Sequence, residues 1–232
     1  MIERYSIHAT NQQLKERFKI EETPGYQPRY NAGPSHLLPV ITHQSPQGFS
    51  YFYWGAPQQF LKNKTVAERI VNTRAELIAE KPVLKKTMMR FRCLIPATGF
   101  YAWKKVGKKT SIPWFFVPNN KTIWSFAGLW EEYDDPEGNA YHTFSIITVP
   151  ANETVAEVTE RMPVILTPQE ESVWLDKKST EDILLGLMRS TSATELTGYT
   201  VSPAINSLTH ESASLIAPAP AADQFGNLTL FN

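Results

Sequence analysis

Five histidines, one cysteine and a short run of lysines are the side chains here with the most obvious chemical capacity. His8, His36, His43, His142 and His210 are scattered, and no two stand at i, i+4, so no helical face presents a pair of ring nitrogens to a metal ion. The chain also lacks a Gly-rich phosphate loop, HExxH and GxSxG. On these grounds neither a metal nor a cofactor is expected, and each histidine reads as a surface or hydrogen-bonded structural residue. Cys93 sits in the apolar run Cys93-Leu94-Ile95-Pro96, where a thiol behaves as a small buried hydrophobe rather than a nucleophile. Lys104, Lys105, Lys108 and Lys109 cross a hairpin turn and read as its solvated surface.

Charge and composition narrow the function classes. The chain of 232 residues carries 23 Lys and Arg against 23 Asp and Glu, so nothing global draws it to nucleic acid or anionic lipid, and any polyanion site must be a local patch. A single cysteine excludes an intramolecular disulfide and points to a reducing compartment. The first residues, MIERYSIHATNQQLKERF, hold no apolar core of signal-peptide length, and no run of about 18 apolar residues occurs. A cytoplasmic location and no membrane contact are therefore expected. With 42% hydrophobic and 20% charged residues the chain reads as globular, of a size suited to one large domain.

The elements that must position any site are legible in the pattern. Thr10 with Gln13 has the spacing of a capping box, and Leu14 and Phe18 fall one turn apart, so a helix starts near residue 11 and ends before Gly25. Leu37 to Ile41 and Phe49 to Trp54 read as a hairpin across a turn-rich connector. A polar stretch with Lys62 and Lys64 reads as an exposed loop, and a helix around Ala75 to Ala79 should end before Pro82.

Arg92 to Trp103, Ile112 to Val117, Thr122 to Trp130 and Tyr141 to Val149 are rich in β-branched and aromatic residues and predict an antiparallel meander. In the third segment Trp124, Phe126 and Trp130 share one face and Ile123, Ala127 and Leu129 the other, so both faces should be covered. Thr167-Pro168-Gln169-Glu170 is a second capping box, Ser179 to Met188 reads as a further helix, and helices are expected to cluster late. The fold class implied is a single α+β domain on a bent, barrel-like antiparallel sheet with peripheral helices. The tail 217–232, opening with APAPAA, reads as a mobile end.

Five segments carry a resemblance. Arg29-Tyr30-Asn31-Ala32-Gly33-Pro34, Tyr53-Trp54-Gly55, Asn72-Thr73-Arg74-Ala75-Glu76, the run from Arg92 to Trp103 with Gly99-Phe100-Tyr101-Ala102-Trp103, and Arg161-Met162-Pro163-Val164-Ile165-Leu166 resemble, in order, the blocks of the SRAP family of SOS-response-associated peptidases and abasic-site processing proteins. The resemblance covers residues 1–216 and implies that family's β-rich fold. In the family, an N-terminal cysteine exposed by loss of the initial Met captures the aldehyde of an abasic site in single-stranded DNA as a thiazolidine. An Asn, a Glu and a His position and shuttle protons for that reaction.

The chemical positions depart from the family pattern. Ile2 stands where the cysteine belongs, Glu3 where glycine belongs, Ala102 in place of the glutamate and Thr159 in place of the histidine; only Asn72 is retained. Ile cannot attack, Ala cannot titrate and a lone threonine hydroxyl is a poor base, so the thiazolidine route is expected to be absent. The resemblance implies DNA contacts at Arg4, Asn31, Trp54, Asn72, Arg74 and Arg161. The aromatic wedge expected after the Trp-Gly block is reduced to Phe60. Binding of single-stranded or abasic DNA without the covalent link is the function this implies. Two other readings stay open: an enzyme that reacts with abasic sites through the Met1 amine, and a scaffold whose cleft serves a protein partner.

Overall fold

Thr10 begins the first helix as the spacing predicts: its hydroxyl accepts the Gln13 N–H while the Gln13 side chain accepts the Thr10 N–H, and α1 runs Asn11–Phe18. The computed structural model describes residues 1–21, 23–55, 71–134 and 140–229. The strands are β1 (Arg4–Ile7), β2 (Arg29–Ala32), β3 (Leu37–Thr42), β4 (Ser45–Trp54), β5 (Asn72–Arg74), β6 (Arg92–Ala97), β7 (Gly99–Lys105), β8 (Ser111–Pro118), β9 (Trp124–Asp134), β10 (Ala140–Pro150), β11 (Arg161–Pro163), β12 (Ile165–Leu166) and β13 (Leu196–Thr200). Between and beside them lie α2 (Ala75–Glu80), α3 (Pro82–Arg90), α4 (Glu153–Ala156), α5 (Pro168–Leu175) and α6 (Glu181–Leu187).

Five strands close on themselves. β4 pairs with β3, β3 with β6, β6 with β9 and β9 with β10, all antiparallel, and β10 returns to β4 through the parallel pairs Thr143↔Tyr53 and Phe144↔Trp54. Closure removes the edges that an open sheet would present. β5 extends the parallel contact along β10, and β11 and β12 add short antiparallel pairs. A second sheet, in the order β13-β8-β7-β1-β2, packs beside this barrel.

The expected α+β fold on a barrel-like sheet is thus present, but the meander is not a simple one. The run from Arg92 to Trp103 divides after Ala97: β6 enters the barrel and β7 the second sheet. The division is steric and polar. Thr98 N–H donates to Ser6 O, and Gly99 lies so close to Phe115 that an added Cβ would fall 2.4 Å from its ring. The barrel is also closed by a parallel contact, whereas alternation alone predicts only antiparallel pairs.

Both faces of β9 are covered, as its composition requires: Trp124, Phe126, Ala127, Leu129 and Trp130 are all buried, and α3 packs across β9 and β6. The helix Ala75–Glu80 ends before Pro82, as expected, and a further helix starts there. Pro82 takes the first position of α3, where its missing N–H costs nothing. With α1, α2 and α3 in the first half, helices are not confined to the end of the chain.

Arg92 is almost fully buried, and its guanidinium donates to the carbonyls of Met88, Met89, Trp174 and Asp176. One cation thereby serves the carboxyl ends of both α3 and α5, where unpaired carbonyls and the helix dipoles favour positive charge.

The segment 217–222 is docked rather than free. Ala219 N–H donates to Thr200 O over 2.9 Å, Thr200 Oγ1 donates to Ala219 O over 2.7 Å, and Val201 bridges Pro218. Its prolines do not prevent this, because the carbonyls and the intervening amides supply the bonds. Lys62, Lys64 and Phe60 lie outside the described residues.

Candidate functional site

The amino-terminal strand, the β5–α2 junction and the turn before β11 converge on one cleft of about 890 Å³. Arg4 enters it from β1, which pairs with β7 through Arg4↔Tyr101. Its side chain passes Gly33, where an added Cβ would fall 2.4 Å from Leu208 Cδ2 and 3.2 Å from the Arg4 guanidinium, so the glycine of the Asn31-Ala32-Gly33-Pro34 block leaves room for both side chains. Burial lowers the Arg4 pKa, and NH1 donates to Glu3 O.

Arg74 closes β5 opposite Thr148 of β10 and stands exposed in the cleft, its side chain making no hydrogen bond or ion pair among the described residues. Arg161 opens β11 opposite Pro150 of β10. It donates from Nε to Thr148 Oγ1 at 3.1 Å, and a two-pronged pair of 3.1 and 2.8 Å joins it to the carboxylate of Glu76. These bonds from Arg161 hold the Glu76 pKa below its ordinary value.

Lys104 and Lys105, at the end of β7, complete a cationic lining together with the half-buried Trp103, whose indole N–H donates to Asn206 Oδ1. The lining residues include five cationic side chains, Arg4, Arg74, Lys104, Lys105 and Arg161, against the acidic Glu3, Glu157 and Glu160. A chain of zero formal charge therefore concentrates cations here. The sequence reads Lys104, Lys105, Lys108 and Lys109 as a solvated hairpin turn, but Lys104 and Lys105 lie in β7, paired with Ile112 and Ser111, and line the cleft.

The four chemical positions fall in two environments. Thr159 lines the cleft, its N–H bound to Val155 O. Ile2 and Ala102 do not reach it as functional groups: both side chains are buried in the main apolar core, at 0% and 2% exposure. Asn72, half-buried on β5, does not line the cleft, and its Nδ2 donates to Ile2 O at 2.7 Å. The one thiol of the chain, Cys93, is fully buried on β6, and burial pushes its pKa far up.

Two residues expected at a DNA surface are inside the protein. Asn31 is fully buried, and its amide donates to Ser207 O at 2.9 Å and His210 O at 3.0 Å, fastening that loop to β2. Trp54 is fully buried between Tyr5 and Phe144, and its indole donates to Val71 O at 2.9 Å, fixing the approach to Asn72. Large side chains in motif blocks serve packing as readily as binding, and sequence alone does not separate the two.

Among the described residues no group of three or more His, Cys, Asp or Glu side chains is placed to hold a metal ion. Nor is any helix there long and apolar enough to cross a membrane.

Comparison with known proteins is consistent across the chain. Residues 1–208 match the family model for SOS response associated peptidase (SRAP). The abasic site processing protein YoqW of Bacillus subtilis is 35% identical over 221 residues, covering 93% of this chain and 99% of that protein. The abasic site processing protein HMCES of Rattus norvegicus is 26% identical over 235 residues, covering 84% and 66% respectively. Among solved structures, a protein from Bacteroides thetaiotaomicron superposes with a TM-score of 0.80 at 23% identity, over 93% of this chain and 99% of the other.

Proposed function

The chain belongs to the SOS response associated peptidase (SRAP) family, and from that premise we propose that it binds single-stranded or abasic DNA in the cationic cleft without forming a covalent link. The observation that carries this reading is the contrast between the two halves of the site. Arg4, Arg74, Lys104, Lys105 and Arg161 line an open cleft, while Ile2, Ala102 and the only thiol are withdrawn into the core.

Arginines meet phosphate oxygens through forked N–H pairs, and lysines meet them as point charges. A half-buried indole beside them offers a face to an unpaired base. Covalent capture as a thiazolidine needs a sulfur and an amine on the same residue, and Ile2 has no sulfur. Of the other two readings, a protein-binding scaffold is better served by a neutral, apolar cleft than by a cationic one. An amine route through Met1 has no titratable group at positions 102 or 159 to dehydrate the carbinolamine.

The test is fluorescence anisotropy with single-stranded oligonucleotides carrying or lacking an abasic site, with a denaturing gel run in parallel. Salt-sensitive binding in solution and no band that survives denaturation are expected. Absence of binding at low salt would sink the DNA reading, and a stable shifted band would sink the non-covalent one.

A further inference from the structure

Residues 217–229 lie beyond the stretch that matches the family model, yet one of them, Gln224, lines the cleft. After docking along β13 the chain folds back on itself: Ala222 bridges Leu228, and Thr229 N–H donates to Ala221 O. The Asp223 carboxylate accepts the N–H groups of Phe225 and Asn227, each at 2.9 Å, and Gly226 takes the left-handed φ of 86° that the turn requires.

Gln224 joins this turn to the basic hairpin. Its Oε1 accepts the Ser111 N–H at 2.9 Å, and its Nε2 donates to Lys109 O. Gln224 and Ser111 both line the cleft beside Lys104 and Lys105. The next residue, Phe225, is 75% exposed, and Leu228 on the returning arm is 73% exposed.

A single exposed phenylalanine needs no explanation. This one follows directly on a cleft-lining residue, on a turn fixed by its own hydrogen bonds, next to an excess of cations. Building on the DNA reading above, we infer that the C-terminal turn is an outer wall of the cleft and that Phe225 stacks on an unpaired base of single-stranded DNA. Every base has a π face, so this contact selects for unpaired strands rather than for sequence. A duplex keeps its bases stacked on one another and offers Phe225 no partner. Gln224, by holding the hairpin to the turn, sets the spacing between the stacking ring and the lysines that meet phosphate.

The experiment measures binding of an oligothymidylate by anisotropy for the unsubstituted chain, Phe225→Ala, Phe225→Leu, Phe225→Trp and Arg74→Ala. Phe225→Ala and Phe225→Leu should each weaken binding about fivefold or more with the salt slope unchanged, while Phe225→Trp should bind at least as well as the parent. An oligonucleotide with 5-iodouracil, irradiated on the unsubstituted chain, should cross-link to the peptide containing Phe225, a readout that depends on no variant folding. If Phe225→Ala and Phe225→Leu bind like the parent while Arg74→Ala binds weakly, or if cross-links map only elsewhere, the stacking role is overturned and the cleft reading stands. If the parent itself does not bind, both are overturned.

Discussion

Asn72 donates from Nδ2 to the backbone carbonyl oxygen of Ile2 across 2.7 Å. The acceptor is a main-chain group that any residue at position 2 would supply, so this bond persists whatever the side chain there does. The Ile2 side chain meanwhile is completely buried in the main core. The Asn72 side chain thereby tethers the amino-terminal segment to β5, whose backbone pairs in turn with β10.

That tether bears on covalent chemistry. Incubated with abasic single-stranded DNA, the protein should yield no adduct that survives heat and denaturation, because residue 2 has no sulfur and Cys93 is sealed in the barrel. Native Cys93 should likewise resist an aromatic disulfide reagent, reacting only once denaturant opens the fold. Rapid labelling under native conditions would contradict its burial.

Much of this was legible beforehand, for physical reasons that differ by residue. The capping boxes at Thr10 and Thr167 mark true helix starts because they are local, depending on groups three residues apart. The two-faced burial of β9 is legible because alternation reports directly on which faces are covered. The parallel closure of β10 on β4 is not, since it joins segments some ninety residues apart by a register that neither encodes alone. At the site, Arg4, Arg74 and Arg161 line one cleft, whereas Asn31 and Trp54, from the same kind of motif block, turn inward. The docking of the 217–222 segment escaped because Pro- and Ala-rich composition says what a segment cannot build itself, not what a neighbouring strand edge can hold.

Arg74 is the cleanest probe of the cleft. Its side chain is exposed and makes no hydrogen bond or ion pair among the described residues, so Arg74→Ala should shift stability by no more than about 0.5 kcal/mol. If it meets one phosphate of a single strand, the slope of log K against log salt should flatten by about 0.7. An unchanged slope and affinity in a normally folded variant would remove Arg74 from the interface.

Glu76 competes with DNA for Arg161. Glu76→Gln leaves Arg161 its bonds to Thr148 but removes the carboxylate, and should strengthen binding of single-stranded DNA severalfold at low salt. Weaker binding would mean that the pair serves to present Arg161 correctly. The pH effect has a definite sign. Because the folded-state pKa of Glu76 is lowered, its contribution to stability is full above the ordinary carboxylate value and is lost as pH falls through the lowered one. The pair is largely exposed on the glutamate side, so this contribution is within about 1 kcal/mol. Urea unfolding of Glu76→Gln should accordingly show a shallower fall in stability as pH drops below the ordinary carboxylate range.

Arg92 tests the fold apart from the site. Arg92→Met keeps the apolar stem but deprives four carbonyls at the ends of α3 and α5 of their donor, and should cost about 3 kcal/mol or more. The urea midpoint should drop with little change in slope, and DNA affinity under native conditions should be retained. A variant as stable as the parent would show that water or rearranged helix ends satisfy those carbonyls.

The last prediction concerns positions 2 and 102 together. Both side chains are buried in the same main apolar core. Ala102→Glu alone forces a longer, ionisable side chain into a site only 2% exposed, raising its pKa and costing about 3 kcal/mol. Ile2→Cys alone leaves a void and costs about 1 to 2 kcal/mol. Combined, the smaller residue makes room for the larger, and the double-mutant cycle should show a favourable coupling of about 1 kcal/mol or more. Simple additivity would mean the two positions do not share space. With Glu3→Gly and Thr159→His added, and the first residue removed to free the cysteine amine, the quadruple variant should form a heat-stable adduct with abasic DNA. A well-folded but inert quadruple variant would instead show that the surrounding core has repacked around Ile2 and no longer admits an aldehyde beside Asn72.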